Sequence, residues 1–190
     1  MVRFWCTTLG CLLIVGGCAT GPYQAPAQEQ QQRRQALERS DNLIVPGERI
    51  GPIRLGMFMD QVEALLGPRD AGVKNLNGVV TQWSYFSLNL VVDFDAIAAQ
   101  RVISVGTELY TKKSTTYGDE RWSDVYPVTT VFVLNNGIGL GATSFDVQRA
   151  YSRNYATNGT DIFMEYDHLG LSFRVTRDHR VVDIGVFSPR

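Results

Sequence analysis

The hydrophobic positions of this 190-residue chain follow the same pattern in two places. After Gly56 and again after Gly141, apolar residues recur three and four positions apart, which is the spacing of one face of an α-helix. These residues are Val62, Leu65 and Leu66 in the first stretch, and Val147, Ala150 and Tyr151 in the second. Gly67-Pro68 predicts the end of the first helix, and Thr143 with Asp146 predicts a capping box at the start of the second.

Strand patterns follow each predicted helix. Apolar and polar residues alternate with a period of two, which is typical of a strand with one face buried and one in water. The strands are predicted over matching stretches of the two halves: 81–85, 88–94 and 101–105, then 162–166, 169–175 and 180–184. The order helix, strand, strand, strand therefore occurs twice and indicates an internal duplication.

Each repeat is too small to bury a large core alone, so two of them would share a core or extend one sheet. The chain is 44% hydrophobic, which is sufficient for such a core. We predict an α+β fold of two tandem αβββ units, each a helix on an antiparallel sheet. The first unit would span 43–109 and the second 131–190, joined by a connector over 110–130.

A different pattern occupies the first 18 residues. Arg3 is followed by an apolar run over 9–15, then by two glycines and Cys18. The run is shorter than the roughly 20 residues that span a bilayer. This order resembles a bacterial lipoprotein signal peptide with the lipobox Val15-Gly16-Gly17-Cys18. The resemblance implies removal of 1–17 and acylation of Cys18, with a palmitate-type lipid as the only non-protein group; an ordinary secretory signal and an uncleaved anchor are the alternatives.

A polar segment over 18–42 follows the lipobox. It is rich in glutamine, glutamate and arginine, and it has too few apolar residues to bury itself. We predict a spacer that holds the folded part away from the membrane. A polar helix near 28–39 and a segment that becomes ordered against a partner are the alternatives.

Cysteine content and charge exclude several classes of function. Of the three cysteines, Cys6 and Cys11 lie in the predicted signal peptide. The processed chain would then have no disulfide, no cysteine-ligated zinc and no thiol nucleophile. The formal net charge is −1, and the arginines are dispersed. Since a nucleic-acid-binding surface needs clustered basic residues, we predict no nucleic-acid partner.

No residue pattern in the chain predicts catalysis. His168 and His179 stand at predicted turns, where exposed histidines are expected, and Asp93 and Asp95 are expected to be solvated residues of a strand face. Gly-x-Ser-x-Gly and His-Glu-x-x-His patterns are absent from the sequence. The glycines over 137–141 lack the spacing of a phosphate loop. We therefore predict a non-enzymatic protein with no cofactor and no metal.

The connector contains the candidate partner-binding residues. Tyr117, Arg121, Trp122 and Tyr126 are interleaved with charged residues, and aromatic residues and arginine are enriched in protein interfaces. The alternative is a long hairpin in which Trp122 and Tyr126 cap the core.

One motif resembles a known family. The stretch Ile53-x-Leu55-Gly56-Met57, continued by Val62, Leu65, Leu66 and Gly67-Pro68, resembles the helix motif of BamE (SmpA-type) lipoproteins. Those proteins are subunits of the machine that assembles outer-membrane β-barrels. The tandem arrangement is similar to that of β-lactamase inhibitory proteins. Phe58 replaces the threonine that usually starts the BamE helix, and that family is not normally duplicated.

Together these patterns predict an accessory or scaffold subunit of an outer-membrane or periplasmic protein complex. Its lipid would attach it to the outer membrane, facing the periplasm, because Ala19 replaces the aspartate that favours inner-membrane retention. The alternative is a periplasmic inhibitor or ligand-binding module that uses the face between the two units.

The lipobox gives a direct prediction. Cys18→Ser removes the thiol that would be acylated, so we expect the protein to lose its lipid and to leave the membrane fraction. Mass spectrometry of the amino terminus and fractionation of the envelope measure both effects. Cys11→Ser, within the signal peptide, is the matched control and should leave acylation intact. Normal membrane retention of the Cys18→Ser protein would contradict the lipoprotein assignment.

Overall fold

The structure, a computed structural model, describes residues 41–97, 100–109, 111–116, 119–125, 132–153 and 162–190. Isolated positions Gln28 and Gln32 are also described, and both are helical and exposed. The described chain contains two α-helices, α1 (Met59–Leu66) and α2 (Ser144–Tyr151). Single 3-10 turns occur at Phe86–Leu88 and Asp167–Leu169.

The remaining regular structure is β-strand. In chain order the strands are β1 (Leu43–Val45), β2 (Arg49–Ile50), β3 (Ile53–Arg54), β4 (Ala71–Lys74), β5 (Val80–Tyr85), β6 (Leu90–Phe94), β7 (Val102–Glu108), β8 (Thr111–Thr116), β9 (Asp119–Val125), β10 (Val133–Leu134), β11 (Ile162–Tyr166), β12 (Leu171–Val175) and β13 (Val181–Phe187).

The largest sheet has seven antiparallel strands in the order β11-β12-β13-β7-β6-β5-β4. Its centre is the pairing of β7 with β13, which places Gly106 opposite Gly185 and Thr107 opposite Ile184. Strands from the first and second halves of the chain are therefore hydrogen-bonded neighbours within one sheet.

A smaller sheet has the order β10-β1-β2-β3. Strand β1 pairs in parallel with β10, so that Leu43 lies opposite Val133, and in antiparallel orientation with β2. Strands β1 to β3 of this sheet precede α1 in the first half of the chain, and β10 precedes α2 in the second half.

The predicted fold class of two tandem αβββ units is wrong. The chain is mostly β, and its strands do not form two separate helix-covered sheets. The last strands of the two halves pair with each other, and the four-stranded sheet joins residues 43–54 to residues 133–134 across the expected unit boundary. The strands of this small sheet contain only two or three residues, which is too short for a period-two pattern to be recognised.

A single hydrophobic core joins these layers. One face of the large sheet contributes alternate residues such as Val92, Val105 and Ile184, all fully buried. The same core contains Val62 of α1, Val147 of α2, and the three isoleucines of the small sheet, Ile44, Ile50 and Ile53. The helices and the small sheet therefore pack on one face of the large sheet.

The two helices start differently. At α2 the Thr143 hydroxyl accepts a hydrogen bond from the Asp146 amide at 3.1 Å, and the Asp146 carboxylate accepts one from the Thr143 amide at 3.1 Å. This confirms the predicted capping box. At α1 only the second half of the box is present, because the Phe58 side chain has no oxygen; the Gln61 side chain accepts from the Phe58 amide at 2.9 Å.

One arginine contact recurs at both helix starts. The guanidinium of Arg101 donates to the carbonyl of Gly56 at 3.4 Å, and that of Arg180 donates to the carbonyl of Gly141 at 3.1 Å. Arg101 also stacks on the ring of Phe58, 4.2 Å from its centroid. Each arginine thereby connects the start of a central strand to the glycine before a helix.

Gly170 gives a stability prediction. Its φ is +62°, and a Cβ there would overlap the backbone oxygen of Phe187 and lie 2.9 Å from the Cα of Gly47. Gly170→Ala should therefore lower the free energy of unfolding by on the order of 3 kcal/mol. The control is Gly78→Ala, where φ is +77° and no atom of the described residues would lie within 4 Å of the added Cβ; it should cost about 1 kcal/mol. Urea unfolding of both variants checks this, and an equal loss would contradict it.

Candidate functional site on the open face of the sheet

The large sheet has a second face, opposite the core. Side chains alternate along a strand, so the residues between the buried ones on β5–β7 and β11–β13 lie on this side. We call it the open face, and its residues are Gln82, Ser84, Val91, Asp93, Ser104, Gly106, Glu108, Phe163, Glu165, Ser172, Arg174, Asp183, Gly185 and Phe187. Most of them are partly exposed.

Two glycines form the centre of the open face. Gly106 and Gly185 are direct cross-strand partners. Among the described atoms, the nearest that a Cβ at Gly106 would meet is the Ile184 carbonyl oxygen at 3.6 Å, an ordinary contact, whereas a Cβ at Gly185 would lie 2.6 Å from the Ser172 hydroxyl. The neighbours of the glycines in the same row, Ser84, Val91 and Ser172, are buried.

An ionic row crosses the sheet on one side of this centre. Asp183 of β13 lies between Glu108 of β7 and Arg174 of β12, which are its cross-strand partners. The Arg174 guanidinium is paired with the Glu108 carboxylate, and it lies 3.8 Å from an Asp183 oxygen. We call these three residues the charged row.

A hydrogen-bonded row crosses the sheet on the other side. The Gln82 amide donates to one oxygen of Asp93 at 2.8 Å, and the Ser104 hydroxyl donates to the other at 2.9 Å. Phe187 lies opposite Ser104 at the end of this row, as Phe163 lies opposite Arg174 at the end of the charged row. A phenyl ring therefore borders each row.

The charged row holds an unusual carboxylate. Burial raises the pKa of Asp183 to about 7, and the negative charges of Glu108 and Asp93 act in the same direction, while Arg174 opposes them. The side chain of Asp183 is only 26% exposed. Burial and the charge of Asp167 also raise the pKa of Glu165. The open-face residues include four carboxyl groups and one guanidinium, which lies near two of them, Glu108 and Asp183.

Two of the residues predicted from sequence to bind a partner, Arg121 and Trp122, are among the described residues. Cys18, Tyr117 and Tyr126 are outside the described residues. Arg121 and Trp122 are neighbours on β9, where their backbones pair with Ser114 and Lys113 of β8. Strands β8 and β9 form a two-stranded sheet of their own.

The sequence interpretation missed the charged row. Asp93 lies on the open face, near the end of β6 at Phe94. Asp95 follows the strand, and its carboxylate accepts the Arg101 amide at 3.3 Å. The alternation of polar and apolar residues in β7, β12 and β13 was the available sequence signal for the charged row. Only the register of these strands makes its three residues neighbours.

Both histidines are exposed in turns, as predicted. His168 lies in the 3-10 turn before β12, and the His179 ring contacts Ser144 at 3.3 Å and is 5.5 Å from the ring of Phe145.

Within the described residues, no cluster of three or more histidine, cysteine or acidic side chains is arranged to hold a metal ion. A shallow cavity of 290 Å³ lies between α2 and the turn at 136–138; its Asp146 is occupied by the helix cap.

Comparisons with other proteins do not identify a relative. No protein-family model, no curated protein and no solved structure matches this chain. Among the described helices, none combines the length and the hydrophobicity that a membrane crossing requires.

The Asp183 environment predicts a pH dependence of stability. Its pKa is about 7 in the folded protein and near 3.8 when unperturbed. The folded state therefore binds the proton more tightly, and stability should fall as the pH rises from about 4 to about 7. Asp183→Asn should remove this slope and raise the free energy of unfolding at pH 8 by roughly 2–4 kcal/mol.

Urea unfolding between pH 4 and pH 8 measures this effect. Asp178→Asn is the matched control, since it makes the same substitution at an exposed turn position, and its pH profile should equal that of the wild type. A wild-type slope that persists in Asp183→Asn would contradict the assignment.

Proposed function

We propose that this chain is a lipid-anchored protein of the bacterial envelope that acts without catalysis, as an accessory or scaffold subunit of an outer-membrane protein complex. The observation that carries the proposal is the lipobox Val15-Gly16-Gly17-Cys18, placed after a short apolar run and before a polar segment. A lipid on Cys18 would confine the protein to the outer-membrane surface facing the periplasm. Confinement raises its effective concentration near a partner without any new contact.

The composition of the open face supports a role in binding. Protein interfaces combine aromatic residues and arginine with a polar rim. Here Arg174, Phe163 and Phe187 lie on a sheet whose other face is fixed by a continuous core. A site on such rigid elements keeps its geometry when a partner binds.

The hairpin of β8 and β9 supports a second contact surface. The two strands are joined by six register pairs and belong to no larger sheet of the described chain. An isolated two-stranded hairpin is marginally stable in water, and packing on a partner would stabilise it. Trp122 on β9 therefore remains our candidate for a residue that dominates such an interface.

The resemblance of the motif at 53–68 to BamE lipoproteins favours a β-barrel assembly complex as the setting.

A second candidate function is that of a periplasmic inhibitor or ligand-binding module. The arginine and the two phenylalanines of the open face favour it, because protein interfaces are enriched in aromatic residues and arginine.

The proposal predicts a stable partner for the membrane-bound protein. Affinity purification of the full chain from solubilised envelopes, after reversible cross-linking, should recover one envelope protein in stoichiometric amount. Trp122→Ala should reduce this recovery tenfold or more, because truncating a dominant interface residue has that effect. Repeated recovery of the chain alone would contradict the scaffold function.

Leu76→Ala is the matched control. Leu76 is a fully exposed apolar residue in the turn between β4 and β5, and its truncation should leave recovery unchanged. Urea unfolding of both variants separates loss of binding from loss of folding. Wild-type recovery with Trp122→Ala would exclude the hairpin as the contact.

A further inference from the structure

The two halves of the chain provide an internal comparison at the start of each helix. Met57 and Ala142 each lie two residues before the first residue of a helix. The carbonyl of Met57 accepts the Val102 amide at 2.8 Å, and the carbonyl of Ala142 accepts the Val181 amide at 2.9 Å. The two residues therefore occupy the same place in the backbone, and their side chains can be compared directly.

In the first half this place holds a long apolar side chain. Met57 is partly buried and packs against the core. Its sulfur accepts the Arg54 amide at 3.4 Å, so the side chain reaches back from the start of α1 to β3. The next large side chain on this side is Leu65, the seventh residue of α1.

In the second half the cavity of 290 Å³ lies at the same place. Ala142 lines it where the first half has Met57, and Ala150, the seventh residue of α2, lines it where the first half has Leu65. Two side chains that are shorter than their counterparts therefore account for the open space.

The turn that borders the cavity differs as well. In the second half three residues, 135–137, join Leu134 to the buried Ile138. In the first half the equivalent turn has only two residues, Gly51 and Pro52. Two of the three residues in the longer turn line the cavity, so the added length contributes to its wall.

The cavity also has a charge that the first half lacks. Arg149 lines it, at the position where α1 has Ala64. Arg149 is exposed, and the ion pairs of the described residues do not include it; it acts on Asp146 only at longer range. Asp146 itself is held by its hydrogen bonds with Thr143. A carboxylate that approached the cavity would therefore find the Arg149 guanidinium available.

We propose that this cavity binds a methionine side chain from a loop of a partner protein, with a neighbouring carboxylate of the loop paired to Arg149. The methionine would take the place that Met57 takes in the first half. Its burial against Ile138, Ala142 and Ala150 would remove apolar surface from water on both molecules. The inference rests on the proposed function only in taking the partner to be an envelope protein.

Size and charge favour this occupant over others. Ligand pockets usually measure about 300–1,000 Å³, so a cavity of 290 Å³ suits one side chain with its flanking backbone. A phospholipid would bring a negative head group close to Asp146. The most exposed large apolar side chain of the described chain, Leu76, has asparagine on both sides, so a second copy would offer Arg149 no carboxylate beside it.

A peptide titration tests the cavity directly. The full-length chain, labelled with ¹⁵N in a nonionic detergent, is titrated with a capped glycine-rich peptide that contains one methionine between two aspartates. We expect the amide signals of Gly137, Ala142 and Ala150 to shift. A peptide with alanine in place of methionine should bind about tenfold more weakly, because it leaves the cavity unfilled. Asparagine in place of both aspartates should weaken binding about threefold to fivefold, since an exposed charge pair contributes little.

Two variants and two matched controls locate the peptide. Ala142→Met supplies from the chain itself the side chain that the first half has, so it should abolish binding. Ala64→Met adds the same side chain at an exposed position of α1 and should leave binding unchanged. Arg149→Gln should lower the affinity for the aspartate peptide to that for the asparagine peptide. Arg177→Gln makes the same substitution in an exposed turn and should have no effect. Urea unfolding shows that each variant is folded, and the Arg149→Gln result decides if Ala142→Met does not fold.

Four results would overturn the proposal. They are equal binding of the methionine and alanine peptides, signal shifts confined to residues outside the cavity, undiminished binding to folded Ala142→Met, and occupation of the cavity by a second copy or by phosphatidylglycerol vesicles in place of the peptide. If any of these occurs while the envelope partner is still recovered, the cavity inference fails and the proposed function stands. Methionine-dependent binding with no envelope partner would have the opposite meaning.

Discussion

The pairing of β7 with β13 is the interaction on which the rest of this structure depends. It joins the two halves of the chain along five paired residues of each strand, with two glycines in direct opposition at its middle. Without this pairing, each half would have a short sheet with an unpaired edge and one two-turn helix to cover it, which is too little to bury a stable core. With it, both helices and the small sheet cover one continuous surface. The same register also sets Glu108 against Asp183, so the pairing that completes the core also assembles the charged row.

The two faces of the large sheet therefore have opposite compositions for one reason. Along β7, Val105 and Thr107 are buried against the core, while Ser104, Gly106 and Glu108, which alternate with them, are partly exposed. Cross-strand partners point to the same side, and the polar residues of six strands are gathered on one surface. Burial on the core side fixes the backbone positions, and those positions determine which charges meet on the other side.

Local patterns predicted much of the secondary structure. The capping box of Thr143 and the stop at Gly67 were readable because each depends on residues within four positions. The fold class could not be predicted from such local patterns, because it depends on which strands pair. The pairing of β1 with β10 joins residues that are 90 positions apart, and strands of two or three residues have no periodicity to reveal them. The charged row was hidden for the same reason. Arg174, Asp183 and Glu108 are unremarkable polar positions in three separate strands, and register alone makes them neighbours.

The attachment of the polar segment to the folded body has a mechanical consequence. Asp41 accepts the Leu43 amide at 2.9 Å and is ion-paired with Arg49, whose guanidinium donates to the Gly51 carbonyl at 2.7 Å. Immediately after this ion pair, β1 lies between β10 and β2. Tension on the chain before residue 41 would therefore be transmitted first to the ion pair of Asp41 and Arg49 and then, through β1, to strands from both halves of the chain. Because β1 is hydrogen-bonded along its length to both neighbours, tension parallel to it shears several bonds at once instead of opening them one by one. A protein held to a membrane by this segment would carry tension through its smallest sheet, while the seven-stranded sheet and its open face kept their shape.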